Sequence, residues 1–324
     1  ELTPLLDESL EEDQPIPDER LRLIFTCCHP AINQQAQVAL TLKTLCGLTI
    51  KEIARAYLSS EVAMSRRITR AKTKIRDAGI AYEIPEGKAL GGRLSSVLSV
   101  LYFIYNESYT AFEGQTLTRE ELAAEAIRLC RMLITLLPNA EVHGLLALML
   151  FHNARRAARS SAKQGYIPLE LQNRSLWNQA AIAEGMQLLD AAMQLGHSGS
   201  YQIQAAISAL HCKAPKWRNT DWRQIRLLYG ALYKLTLSPV ILLNQAMTYS
   251  HAGEPENAYG LVKELRGQLS DYQPYYAARA ELETKLQLHR EALISFDKAI
   301  SLSKNNIERD FLQTKLQSLA KYFN

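Results

Sequence analysis

Residues 47–76 read GLTIKEIARAYLSSEVAMSRRITRAKTKIR. Thr49 stands in front of a helical stretch from Ile50 to Tyr57, and Leu58-Ser59 forms a tight turn. Ser60 caps a second stretch from Glu61 to Arg76, with Gly79 beyond its end. A third helix is expected just upstream, from Gln34 to Leu45, opened by Asn33 and stopped by Cys46-Gly47. Two helices joined by so short a turn make a helix-turn-helix, with Ile53, Ala54, Leu58, Met64 and Ile68 at its core positions. In the 61–76 helix, Met64, Ile68, Ala71 and Ile75 fall on one side and form the buried stripe. Ser65, Arg66, Arg67, Thr69, Arg70, Thr73 and Lys74 fall on the others. A cationic helix with short hydroxyl side chains suits the DNA major groove, where Arg forks onto guanine and Ser or Thr reaches bases or phosphates. These seven are the candidate DNA contacts.

The charge distribution supports that placement. The 324-residue chain has a formal net charge of +4, which by itself implies no partner. Residues 1–20, however, hold eight acids and one base, net −7. Residues 43–76 hold nine bases (Lys43, Lys51, Arg55, Arg66, Arg67, Arg70, Lys72, Lys74 and Arg76) against Glu52 and Glu61, net +7. An acidic arm next to a compact basic segment is a pattern for nucleic-acid contact.

Outward from this segment the period stays helical, so the fold class expected is all-α. Turn residues fall between apolar runs, at Pro85-Glu86-Gly87, Gly91-Gly92, Gly114, Pro138-Asn139, Gly165, Gly196 to Gly199, Pro215, Pro239, Gly253-Glu254-Pro255 and Pro274. Residues 94–105 (LSSVLSVLYFIY) are apolar almost all round and predict a central helix. Thr118-Arg119-Glu120-Glu121 is a capping box. Late in the chain, Leu242, Ala246, Tyr249, Gly253, Ala258, Val262 and Leu265 recur 34 residues on as Tyr276, Ala280, Glu283, Gln287, Ala292, Phe296 and Ala299. The small residues sit where the two helices of a tetratricopeptide-like hairpin cross, whereas Glu283 and Gln287 break the pattern. Residues 201–233 are expected to be a degenerate unit and residues 306–323 a terminal helix. The expected organisation is an acidic linker (1–19), a helix-turn-helix domain (20–82), a helical middle domain (93–200) and a repeat domain (201–324).

No run of apolar residues is long enough for a membrane-spanning helix. Five cysteines without CxxC spacing predict buried free thiols in a reducing cytoplasm rather than a metal or redox site. No phosphate loop, nucleophile elbow or zinc-protease motif occurs, so neither an enzyme nor a cofactor is expected. Asn106, Glu107, Arg128 and Arg155 are expected to form a buried polar network, and His152 a structural histidine.

The 47–76 stretch resembles region 4 of an extracytoplasmic-function (ECF) RNA polymerase sigma factor. The wider chain resembles the subgroup with a long C-terminal extension. RLRLIFTCCHPAI (20–32), LYFIYNESY (101–109), HNARRAAR (152–159), QNRSLWN (172–178), YQIQAAISALH (201–211) and TDWRQI (220–225) carry that resemblance. It implies recognition of the promoter −35 element, RNA polymerase core as partner, and a region 2 ahead of residue 1. It also implies an extension acting in cis, with a possible intramolecular contact to region 4. The chain departs from the pattern at Leu58, where a turn glycine is usual, and at Ser59-Ser60, where Val-Pro is usual. Asn173 replaces an Asp and Ser108 a Gly. An alternative reading is a helical-repeat interaction module whose basic helix does not read DNA.

Overall fold

Each expected cap in the basic segment forms. In the computed structural model, which describes residues 17–57, 59–110, 118–161, 165–196, 198–303 and 306–320, Asn33 Oδ1 accepts from the Ala36 amide at 2.9 Å and opens helix α2 (Gln34–Thr44). Thr49 and Glu52 cap helix α3 (Ile50–Ala56) reciprocally: the Thr49 amide donates to Glu52 Oε2 at 2.7 Å, and the Glu52 amide donates to Thr49 Oγ1 at 3.2 Å. Ser60 Oγ accepts from the Ala63 amide at 3.2 Å and opens α4 (Glu61–Asp77). Gly47 (φ +68°) and Gly79 (φ +59°) take the left-handed conformation that closes the preceding helices.

The chain is all-α, with fifteen α-helices among the described residues. It divides into two compact units, Glu1–Met149 and Leu150–Asn324. In the first, α1 (Pro17–Cys27) precedes α2, and both α2 and α3 pack on α4. Ile53, Ala54, Met64, Ile68, Ala71 and Ile75 are all buried, which is the core expected for the helix pair. Leu58 and residues 1–16 lie outside the described residues. Helix α5 (Gly87–Thr110) packs on α1 and α2 and buries Val97, Leu98, Val100, Leu101, Ile104 and Tyr105, as its all-round apolarity predicted. It runs straight through Gly91-Gly92, correcting the expected break. Both glycines sit on the exposed side, so missing side chains cost only helix propensity, about 1 kcal/mol each. Helices α6 (Thr118–Leu136) and α7 (Ala140–Ala154) follow.

The second unit opens with short 3-10 turns around a two-residue antiparallel pair, Ser160–Ser161 with Gly165–Tyr166. Eight helices then pack in sequence: α8 (Gln179–Gln194), α9 (Ser200–Lys213), α10 (Trp222–Thr236), α11 (Pro239–His251), α12 (Pro255–Glu264), α13 (Gln273–Lys285), α14 (His289–Leu302) and α15 (Asn306–Ala320). The 34-residue period is structural, because α11 and α13 start 34 residues apart and so do α12 and α14. Ala246, Ala258, Ala280 and Ala292 are all buried, letting the hairpin helices approach closely. The same turn recurs too. The Glu254 amide donates to the Tyr249 carbonyl at 2.9 Å, and 34 residues on the Leu288 amide donates to the Glu283 carbonyl at 2.8 Å. Gly253 holds the left-handed position in the first turn (φ +92°) and Gln287 in the second (φ +60°).

Among the described residues all five cysteines are free, with Cys27, Cys28 and Cys130 buried. Burial pushes the Cys27 thiol up to about 12, far from the reactive thiolate range. No described helix is long and apolar enough to cross a membrane.

Candidate nucleic-acid interface

The buried stripe of α4 fixes which of its side chains remain free. With Met64, Ile68, Ala71 and Ile75 turned inward, the 3.6-residue repeat sends Arg66, Arg70 and Lys74 along one flank at i, i+4 spacing, with Arg67 beside them. These four line a groove of about 890 Å³ whose other wall is the start of α2, from Ala31 to Ala36. Arg66, Arg70 and Lys74 are exposed and Arg67 is partly buried.

The seven candidate contacts are therefore not one surface. Ser65, Thr69 and Thr73 are absent from the groove. Thr69 and Thr73 lie on the next strip of the helix beside the exposed Val62, and Ser65 lies on the opposite flank with Lys72. The α2 wall went unread in the sequence because it carries no charge of its own and lies some thirty residues upstream of the cations it faces.

The electrostatics of the groove are unbalanced. No carboxylate among the described residues pairs with Arg66, Arg67, Arg70 or Lys74. Like charges at i, i+4 on a helix repel by a few tenths of a kcal/mol per pair. The start of α2 adds the positive end of a helix dipole, although Asn33 Oδ1 already occupies one of its amides. The groove presents four cations, and none of these lining residues is a nucleophile paired with a base.

The other polar groups have separate partners. Arg128 donates to Glu125 Oε2 at 2.8 Å and to the Leu45 carbonyl at 3.2 Å. The guanidinium of Arg155 stands over the Trp177 ring, 6.0 Å from its centroid. The Glu107 side chain is outside the described residues. His152 lies 3.3 Å from Ser208 Oγ and is held well below the usual imidazole range, by burial first and then by Arg155, Arg159 and His211.

Residues 93–193 match a family described as a family of unknown function (DUF6596). Over 304 residues the chain is 42% identical to an uncharacterized protein of Rhizobium meliloti (strain 1021), a match spanning 94% of this chain and 72% of that relative. The chain belongs to the same family as that protein.

Proposed function

We propose that the helix-turn-helix segment reads promoter DNA, with α4 entering the major groove of a −35 element. The chain would then be part of an alternative sigma factor of the ECF class whose residues 150–324 regulate it in cis. The observation that carries this reading is the row Arg66, Arg67, Arg70 and Lys74, four cations on one flank of a well-capped helix with no described carboxylate to neutralise them. A row that destabilises its own helix is balanced once an anion occupies the groove. The α2 start opposite suits a DNA phosphate, and Thr69 and Thr73 on the adjoining strip suit base edges. The resemblance of residues 47–76 to sigma region 4 supplies the promoter as the DNA in question, and RNA polymerase core as the partner that shares the task.

The test is selection of duplexes from a random pool by the protein, alone and with RNA polymerase core. One short motif is expected to be enriched, and to be lost when Arg66 and Arg70 are both replaced by Ala. A pool left unenriched in both arms overturns the reading.

A further inference from the structure

A second cationic cluster lies in the unit Leu150–Asn324, and it does not depend on DNA reading. Arg155 and Arg174 both approach the ring of Trp177, with their guanidinium carbons 6.0 and 4.5 Å from its centroid. Arg174 Nη1 donates to the carbonyl oxygens of His211 and Ala214, which pins the side chain and leaves Nη2 buried without a partner. The indole nitrogen of Trp177, a residue only 3% exposed, is likewise buried and unpartnered, and so is Nδ1 of His211. Arg155 makes no side-chain hydrogen bond or ion pair with any described residue.

Two guanidiniums from separate segments, both carrying full positive charge, thus meet at one indole, and Arg174 ties that indole to the backbone of residues 211–214. Among the described residues, the groups that act electrostatically on Arg174 are Arg155 and Cys212, and on His211 they are Arg155, Arg174 and His251, none of them a carboxylate. Water satisfies stray donors, but it does not neutralise two guanidinium charges brought together. Arg155, Arg174 and His211 each keep part of their surface exposed, while Arg174 Nη2 and the indole nitrogen are covered.

We infer that Arg155, Arg174, Trp177 and His211 form a binding site for the phosphate group of a small phosphorylated ligand. A phosphate dianion matches the two positive charges, and its three oxygens match a donor set of two guanidiniums and an indole N–H. A carboxylate matches the charge only by half. Such a site gives the second unit a chemical input of its own.

The chain has three tryptophans, Trp177, Trp217 and Trp222, all in this unit, so intrinsic fluorescence reports on it. Inorganic phosphate, titrated against the full chain, is expected to change the emission in a saturable way. Arg155→Gln is expected to weaken the response by about tenfold or more while the circular dichroism spectrum stays unchanged, since the Arg155 side chain makes no hydrogen bond to a described residue. Arg66→Ala/Arg70→Ala is expected to leave the response intact, which separates this site from the α4 groove. Succinate is expected to bind at least about tenfold more weakly than phosphate. No response up to about 10 mM phosphate, a response untouched by Arg155→Gln, or succinate binding as tightly as phosphate would each overturn the proposal.

Discussion

Ser295 donates its hydroxyl proton to Glu283 Oε2 at 2.6 Å, joining helix α14 to the preceding α13 through a carboxylate with no exposed surface. The other oxygen, Oε1, accepts from Arg279 Nε at 2.7 Å and from the Tyr259 hydroxyl at 3.1 Å. Tyr259 belongs to α12 of the first hairpin, so one side chain ties two repeats together. Replacing it strands three donors, one of them a cation. Glu283→Ala should cost about 3–5 kcal/mol, and Glu283→Gln distinctly less, because the amide oxygen still accepts from Arg279. Urea unfolding of the two variants measures the difference.

Gln287 is exposed and takes a left-handed turn that Gly253 takes one repeat earlier. A side chain meets a steric penalty there that glycine avoids, offset in part by the greater freedom of glycine in the unfolded chain. Gln287→Gly should therefore stabilise the protein by up to about 1 kcal/mol. Gly253→Gln should do the reverse, and thermal unfolding of both checks the sign.

The four groove cations predict a salt dependence. Removing any one cation that meets a phosphate should lower the slope of log K against log salt by about 1. Arg66→Ala and Arg70→Ala should each weaken duplex binding by roughly 1–3 kcal/mol. Ser65→Ala, on the opposite flank, should change little. Fluorescence anisotropy at several salt concentrations reads all three.

Two histidines of the second unit predict a pH window. Burial pushes His211 down to about 3, with Arg155, Arg174 and His251 adding to it. Burial also pushes His251 down to about 4, with Lys285 adding and Glu281 opposing. Both are neutral when folded, whereas the unfolded chain takes up their protons below about 6.5. Their stabilising contribution is complete above that pH. It falls progressively as pH drops toward the folded values, by at most about 1.4 kcal/mol per unit for each group. Urea titrations between pH 7.5 and 5 should show the midpoint decline. Replacing His251 with Gln should lessen the decline and leave the part due to His211.

Most of the helical grammar was legible in the sequence. Asn33, Thr49 and Ser60 were readable because capping is local: the side chain that accepts sits within three residues of the amide it satisfies. The 34-residue spacing was readable because alanine recurs wherever helices cross. Glu283 looked like a fault in the pattern because the three donors that justify it come from positions 259, 279 and 295, and periodicity carries no information about such a meeting. Gly91-Gly92 misled in the opposite direction, since helix breaking was read from two residues without the apolar stripe that holds α5 continuous. Of the candidate interface, the four cations were visible as charge. Their separation from Ser65 was implicit in the buried stripe of α4, whereas the α2 wall they face was not readable, because it depends on how the two helices pack. The cluster around Trp177 was hidden more deeply, its members lying at positions 155, 174, 177 and 211 with no spacing to link them.

The shared phase of the two hairpins also limits how the second unit tolerates changes in length. A segment of 34 residues inserted at the boundary before Gln273 leaves each crossing alanine facing its partner helix, because the following helices resume at the angle they had before. One residue removed within α13 ahead of Ala280, by contrast, shifts the positions that follow by about 100° and puts Glu281 in the place Ala280 now fills. Along α11 to α14 the length of the molecule is quantised: these helices accept whole units and little else.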